Sequence, residues 1–382
     1  MNDIPRIVLT GGVSGGHTFP LIAVARALRQ KFSSVSSDQS EKVELLFIGP
    51  RGRFEKEAME QESIPVKYII TGKWRRYFSW RNFIDPFNVL IGFAQALWYL
   101  FLFMPDAVFA KGGMASAPVV LAAWLYRVPI LIHDSDAVAG RANRFLSRFA
   151  SHIAVAYPGA HNFFPADKTA LTGNPVRAEI LAGDMSQSAK RFGLSLEKPL
   201  VLVLGGSQGA QALNKAVLNT LPSLLEKNIQ VLHQTGRKHY ENIVESVKEY
   251  GLKIGESGYV PWPFFSAEEL ADALKQAALV VSRAGAGSIA ELAAAEKASI
   301  LVPLMNAAND EQRMNAYDVA ALGGALVLEE PNLGEHILFK KIEELLNDAA
   351  LRKTMGEKLH SFYHPNAADA IADGIVSLIK KI

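Results

Sequence analysis

Two glycine-rich turns constrain this chain more than any other feature. The first, Gly11-Gly12-Val13-Ser14-Gly15-Gly16-His17-Thr18, follows an apolar run at residues 7–9. The second, Gly205-Gly206-Ser207-Gln208-Gly209, follows another at residues 200–204. Each leads into a helical pattern, which is how a βαβ unit opens. The same rhythm continues behind both turns. Residues 44–48, 107–110, 130–132 and 153–156 are further short apolar runs in the first half, with helical patterns at 21–30 and 119–126. Residues 230–233, 279–282, 300–303 and 325–328 are their counterparts in the second half. Runs without polar alternation are those of parallel strands buried on both faces. The expected class is therefore α/β, with two doubly wound parallel sheets. Gly173-Asn174-Pro175 interrupts the pattern and marks the junction.

The bulk numbers agree with two globular domains. The chain has 382 residues, 49% of them apolar and 20% charged, enough for two cores and too apolar for disorder. A net charge of +2 argues against a dedicated nucleic-acid binder. There is no cysteine, which excludes disulfides, thiolate metal sites and cysteine nucleophiles. Residues 1–6 carry no signal-peptide pattern, so a cytoplasmic location is expected.

Glycine turns at the carboxyl ends of two sheets, each before a helix N-terminus, suit an anionic ligand held in a cleft between domains. Neither turn is a dinucleotide fingerprint, because Val13 and Ser207 occupy the second glycine position. Gly49-Pro50-Arg51 also stands where a ribose-binding acid would close the second strand. The first turn departs from a P-loop because His17 replaces its lysine. Two tight turns without any ligand are the plain alternative.

Six blocks, at residues 11–20, 133–140, 173–177, 205–214, 282–293 and 310–316, carry a resemblance over nearly the whole chain. In their order and spacing they resemble the MurG family, transferases that add N-acetylglucosamine to undecaprenyl-pyrophosphoryl-muramyl-pentapeptide in peptidoglycan synthesis. The resemblance implies the GT-B architecture, two Rossmann-like domains facing a cleft. The acceptor and membrane-facing domain is expected at residues 1–177 plus about 364–382, and the nucleotide-sugar domain at 178–363. An inverting transfer from UDP-N-acetylglucosamine to the muramyl 4-hydroxyl of a lipid-linked pyrophosphoryl acceptor is implied, without cofactor or metal.

His17 is the candidate general base, since an inverting transfer needs one group to take the acceptor proton, and imidazole has the intrinsic pKa for it. The same residue orienting the loop or binding phosphate is the bland alternative. Ser14, Gly15 and Gly16 are expected at a phosphate of donor or acceptor. By resemblance, Glu291 bonds the ribose hydroxyls and Gln312 the donor sugar, Ala286, Gly287 and Ser288 line the nucleotide, and Val260 meets the uracil through its backbone. Ser207 and Gln208 hold phosphate or ribose, and Arg177 contacts the pyrophosphate. Asp134-Ser135-Asp136 departs from the family's Glu-Gln-Asn. Asp136 stands where an asparagine meets the donor sugar, and an ionised carboxylate accepts hydrogen bonds but cannot donate them.

Residues 73–81 hold four basic and four aromatic side chains and no acid. Trp74, Arg75, Arg76, Tyr77, Phe78 and Trp80 are the expected contacts with an anionic membrane surface. Residues 86–105 follow with 20 positions free of charge. One span there is topologically impossible, because the strands on either side belong to one sheet. A helix lying in the interface is the expectation, and a peripheral protein on the cytoplasmic membrane face follows. The rivals are another GT-B transferase with a lipid acceptor, a UDP-sugar 2-epimerase, and a non-catalytic nucleotide-sugar module.

Overall fold

A computed structural model describes residues 4–12, 15–33, 43–72, 81–206, 209–249, 251–253, 255, 257–305 and 308–379. It divides into two compact units, Met1–Pro175 with His364–Ile382, and Val176–Tyr363.

The first unit runs β1 (Arg6–Thr10), α1 (Gly15–Ser33), β2 (Glu44–Gly49), α2 (Arg53–Gln61), β3 (Val66–Tyr68), α3 (Arg81–Phe103), β4 (Ala107–Ala110), α4 (Ala117–Leu125), β5 (Ile130–Asp134), α5 (Arg141–Leu146), β6 (His152–Val155) and β7 (Thr169–Leu171). Its seven strands form one parallel sheet in the order β3-β2-β1-β4-β5-β6-β7. The order reverses between β1 and β4, which opens a crevice at their carboxyl ends.

The second unit runs α6 (Met185–Phe192), β8 (Leu200–Leu204), α7 (Gln211–Glu226), β9 (Gln230–Gln234), α8 (Tyr240–Glu249), β10 (Tyr259–Trp262), α9 (Ala267–Gln276), β11 (Leu279–Arg283), α10 (Ala286–Ala294), β12 (Ser299–Val302), α11 (Glu311–Ala321), β13 (Leu326–Val327), α12 (Glu335–Asn347) and α13 (Ala349–His360). Six parallel strands follow the order β10-β9-β8-β11-β12-β13, so β8 and β11 flank the equivalent reversal.

The sheets are parallel because their strands bury both faces. In β8, Leu200, Leu202 and Leu204 enter one core cluster while Val201 and Val203 enter another. In the first unit α14 (Ala367–Ile379) lies on α1 and closes the core around Ile7, Leu9, Leu21 and Leu28. Its Ile371 and Ile375 are fully buried, each worth roughly 1.5–3 kcal/mol.

Two local differences from the sequence reading matter. α1 starts at Gly15 rather than near Leu21, so Pro20 lies inside the helix and His17 in its first turn. α3 starts at Arg81, so Pro86 is likewise inside a 23-residue helix. Among the described residues, no helix is long and apolar enough to cross a membrane. α3 packs along α4 but leaves Phe87, Leu90, Trp98, Phe101 and Leu102 exposed, and Trp124, Leu125 and Tyr126 at the end of α4 are exposed too.

Candidate active site

The reversal point of the first sheet gathers three segments: the start of α1, the Lys111-Gly112-Gly113 turn after β4, and the loop after β5. The His17 ring lies against Gly12 and Gly113. A Cβ placed on Gly12 would stand 3.2 Å from its Cδ2, and one on Gly113 would stand 3.4 Å from its Cε1. His17 is half-buried by area yet densely surrounded, and its Nδ1 is buried with no hydrogen-bond partner among the described residues. Burial, and then the nearby Lys111 charge, push its pKa down to about 4. The imidazole is therefore neutral at pH 7 and free to take a proton.

The loops beside it are tied together. Asn143 Nδ2 donates to Asp134 Oδ2 at 2.9 Å, and Asn143 Oδ1 accepts from the Gly113 N–H at 3.1 Å. Asp134 also accepts from the Asp136 and Gly140 N–H groups. Gly112 has φ +87°, and a Cβ there would overlap Asn143 Oδ1 at 2.1 Å. Only glycine lets the turn pass so close to the asparagine that holds it. Lys111 is 2% exposed and its ammonium donates to Ser135 Oγ. His133 is fully buried, with Nε2 3.1 Å from the Gly173 carbonyl, and burial holds its pKa well below the ordinary value.

The reversal point of the second sheet is built differently. α10 begins with Ala286, Gly287 and Ser288 behind Gly285, with no acid in its first turn. That leaves its free N–H groups and positive end to an anion. Glu291, one turn further, receives Arg177 Nε at 2.8 Å and Nη2 at 2.7 Å on a single oxygen, Oε1. Arg283, at the end of β11, is buried and donates to the Val302 and Pro303 carbonyls and to Glu330. Asn315 Nδ2 in α11 donates to the Ala284 carbonyl, and Gln312 Oε1 accepts from the Leu304 N–H at 3.0 Å. Val260 lies in β10, the edge strand, where half the backbone groups face away from the sheet. Among the described residues no group of three or more histidine, aspartate or glutamate side chains stands together as metal ligands would.

The glycosyltransferase family 28 N-terminal domain matches residues 7–155 and its C-terminal domain residues 200–371. The UDP-N-acetylglucosamine--N-acetylmuramyl-(pentapeptide) pyrophosphoryl-undecaprenol N-acetylglucosamine transferase 2 of Bacillus anthracis is 36% identical over 354 residues, 92% of this chain and 95% of its own. The Clostridium perfringens transferase of the same name is 34% identical over 98% of each chain. The chain belongs to the MurG family. The crystal structure of Acinetobacter baumannii MurG agrees, with a TM-score of 0.71 and 27% identity over 98% of this chain and 99% of that one. The fold is GT-B, two Rossmann-like domains, and the chain is a glycosyltransferase.

Within this MurG-family chain, the first unit brings His17, Gly15, Gly16 and Asp136 to one sheet end. The second brings Ala286, Gly287, Ser288 and Glu291 to another, with Arg177 bound to Glu291. Ser14, Ser207 and Gln208, and the expected membrane contacts Trp74, Arg75, Arg76, Tyr77, Phe78 and Trp80, lie outside the described residues. Sequence reasoning missed Lys111, Asn143, Arg283 and Asn315. Lys111 carried a signal, a charged residue directly closing a fully apolar strand and leading into two glycines.

Proposed function

We propose that this chain transfers N-acetylglucosamine from UDP-N-acetylglucosamine to the muramyl 4-hydroxyl of undecaprenyl-pyrophosphoryl-muramyl-pentapeptide, with inversion, converting lipid I to lipid II. The observation that carries the reading is near-full-length identity to relatives named for this transfer. A neutral histidine at the first reversal point and an acid-free helix start at the second support it.

In this reading His17 takes the proton of the acceptor hydroxyl as that oxygen attacks the anomeric carbon, and the bond to UDP breaks. A pKa near 4 makes a weak base. A bound pyrophosphate offsets the Lys111 charge and raises it toward the useful range. Gly15 and Gly16, with Ser14, meet a phosphate at the start of α1. The N–H groups of Ala286, Gly287 and Ser288 stabilise the charge leaving on UDP. Glu291 accepts from the ribose hydroxyls, and Arg177 reaches the nucleotide side of the site through the carboxylate it holds. Gln312 bonds the donor sugar, Val260 the uracil, and Ser207 and Gln208 the phosphate or ribose. Asp136 accepts from a sugar hydroxyl. The apolar residues of α3 and the end of α4, with the basic residues 73–81, rest on the anionic cytoplasmic face of the membrane that carries the acceptor.

The test is incubation of purified protein with UDP-N-acetylglucosamine and a short-chain lipid-linked muramyl-pentapeptide. UDP release and a β-linked disaccharide, each requiring both substrates, are expected. Binding of the nucleotide sugar without transfer to this acceptor would sink the acceptor assignment, and absence of binding would sink the whole reading.

A further inference from the structure

A histidine, an asparagine and a tyrosine in an apolar layer destabilise it unless their polar atoms find partners. The second unit holds such a set. His233 of β9, Tyr259 of β10 and Asn214, at the end of the first turn of α7, are all buried. Tyr259 packs in the cluster of Leu213, Val217, Val231 and Ile243. It is the diagonal neighbour of His233, because His233 is paired with Pro261 across the sheet. The three side chains bond in series. Tyr259 Oη lies 2.9 Å from His233 Nδ1, His233 Nε2 lies 3.1 Å from Asn214 Oδ1, and Asn214 Nδ2 donates to the Thr235 carbonyl at 2.9 Å. The last bond sets the direction of the others. With its N–H turned to a carbonyl, Asn214 presents its oxygen to the imidazole, so Nε2 carries the hydrogen and donates. Nδ1 is then bare and accepts from the Tyr259 hydroxyl. Burial lowers the His233 pKa to about 3, so the ring is neutral, as this series requires.

The series ends at the second glycine turn. The Gly205 N–H donates to the Gln234 carbonyl at 3.2 Å. At Gly209, where φ is +78°, a Cβ would stand 2.8 Å from the Thr235 carbonyl oxygen, so the backbone there rests directly against it. Two successive carbonyls behind β9 therefore seat the two ends of the turn. The Thr235 N–H and Oγ1 both donate to the Trp262 carbonyl, at 2.9 and 3.2 Å, which ties the same residue to β10.

We propose that His233 is a positioning residue for the nucleotide sugar: through Asn214 it fixes the Thr235 carbonyl, and with it the seat of the glycine turn relative to β10. This deepens the transfer reading above and rests on it. In that reading the turn meets phosphate or ribose, and Val260, next to Tyr259, meets the uracil. One buried imidazole then sets the spacing between two segments that hold different parts of the same nucleotide. It does so without touching the ligand, which is why its loss reads out in donor affinity rather than in the chemical step.

The test compares full-length wild type with His233→Gln, His233→Asn and Asn214→Leu. UDP-N-acetylglucosamine is titrated calorimetrically into each, kcat and both KM values are read from UDP release, and folding from the urea midpoint. Glutamine can place an amide N–H where Nε2–H stood, so His233→Gln keeps the bond to Asn214. It should bind the nucleotide sugar within about threefold of wild type. The shorter asparagine reaches Tyr259 but not Asn214. His233→Asn and Asn214→Leu, which both break the link to Thr235, should raise the donor Kd and KM roughly tenfold. Their kcat at saturating donor and their acceptor KM should stay near wild type. A purely structural role would lower the urea midpoint and leave the donor Kd unchanged. That result, or equal loss of affinity in His233→Gln and His233→Asn, overturns the proposal. If Asn214→Leu does not fold, the contrast between the two His233 variants decides alone. Failure of His233→Gln to fold also overturns it, because the bond that variant keeps would then not suffice. Wild-type protein that binds no nucleotide sugar overturns the transfer reading instead, and the positioning role with it.

Discussion

The two sheets present the same topology and opposite chemistry at their reversal points. Between β1 and β4 stand a neutral histidine, a buried lysine and two aspartates, locked by Asn143 to a glycine turn. Between β8 and β11 stand a helix start made of alanine, glycine and serine, and carboxylates already matched by arginines, Glu291 by Arg177 and Glu330 by Arg283. The first point holds groups that can exchange a proton. The second holds an open helix start and carboxylates tied to arginines, an arrangement suited to binding. A doubly wound sheet fixes where a ligand goes, and the side chains at the strand ends decide what is done to it.

The contrast breaks most decisively at His17. His17→Ala is expected to lower kcat roughly 10²–10⁴-fold in the UDP-release assay, and a variant with near-normal turnover would move the base elsewhere. In the second unit the expected effect is on binding. Glu291→Ala removes the ribose acceptor and leaves Arg177 with its charge uncompensated. UDP-N-acetylglucosamine should bind about 10–150-fold more weakly, the worth of a hydrogen bond to a charged group, as read by isothermal titration. An unchanged affinity would make the Arg177–Glu291 pair purely structural.

A smaller effect tests how the first point is held. Gly112→Ala meets Asn143 Oδ1 and a φ of +87°. It should destabilise the fold by roughly 1–3 kcal/mol, seen as a lower urea midpoint, and Asn143→Ala should relieve part of that clash in the double variant. The smallest effect concerns acid. Burial lowers the pKa of His17 to about 4 and of His233 to about 3, so on falling pH the unfolded chain takes up these protons first. Their contribution is fully present above pH 6.5 and is lost as the pH falls toward 4, at up to about 1.4 kcal/mol per pH unit for each histidine. Asp134 and Glu55, whose pKa values burial raises, titrate in the opposite sense. His233→Gln should flatten the slope of stability against pH by one histidine's share, measured from urea midpoints between pH 4 and 7.

Much of the fold was legible because central parallel strands are uninterrupted apolar runs. The edges were not. β3 reads Val-Lys-Tyr and β7 Thr-Ala-Leu, each three residues long and partly exposed, too short and too polar to stand out. The start of α1 was hidden by Pro20 and the glycines before it, which argue locally against a helix that the sheet and α14 impose. At the site, the blocks pointed to His17, Glu291 and Gln312. They did not point to Lys111 or Asn143, whose roles exist only once β4, β5 and α5 are side by side. Nor did they reveal that Arg177 and Glu291, 114 positions apart, bond each other.

The division between a proton-handling end and a binding end is tested most directly by titrating UDP-N-acetylglucosamine into His17→Gln and Glu291→Ala proteins and measuring disaccharide formation by the same samples. His17→Gln should bind the nucleotide sugar with wild-type affinity and form almost no product, while Glu291→Ala should lose affinity and regain product at high donor concentration. Loss of donor binding in His17→Gln, or full turnover by it, would contradict the account.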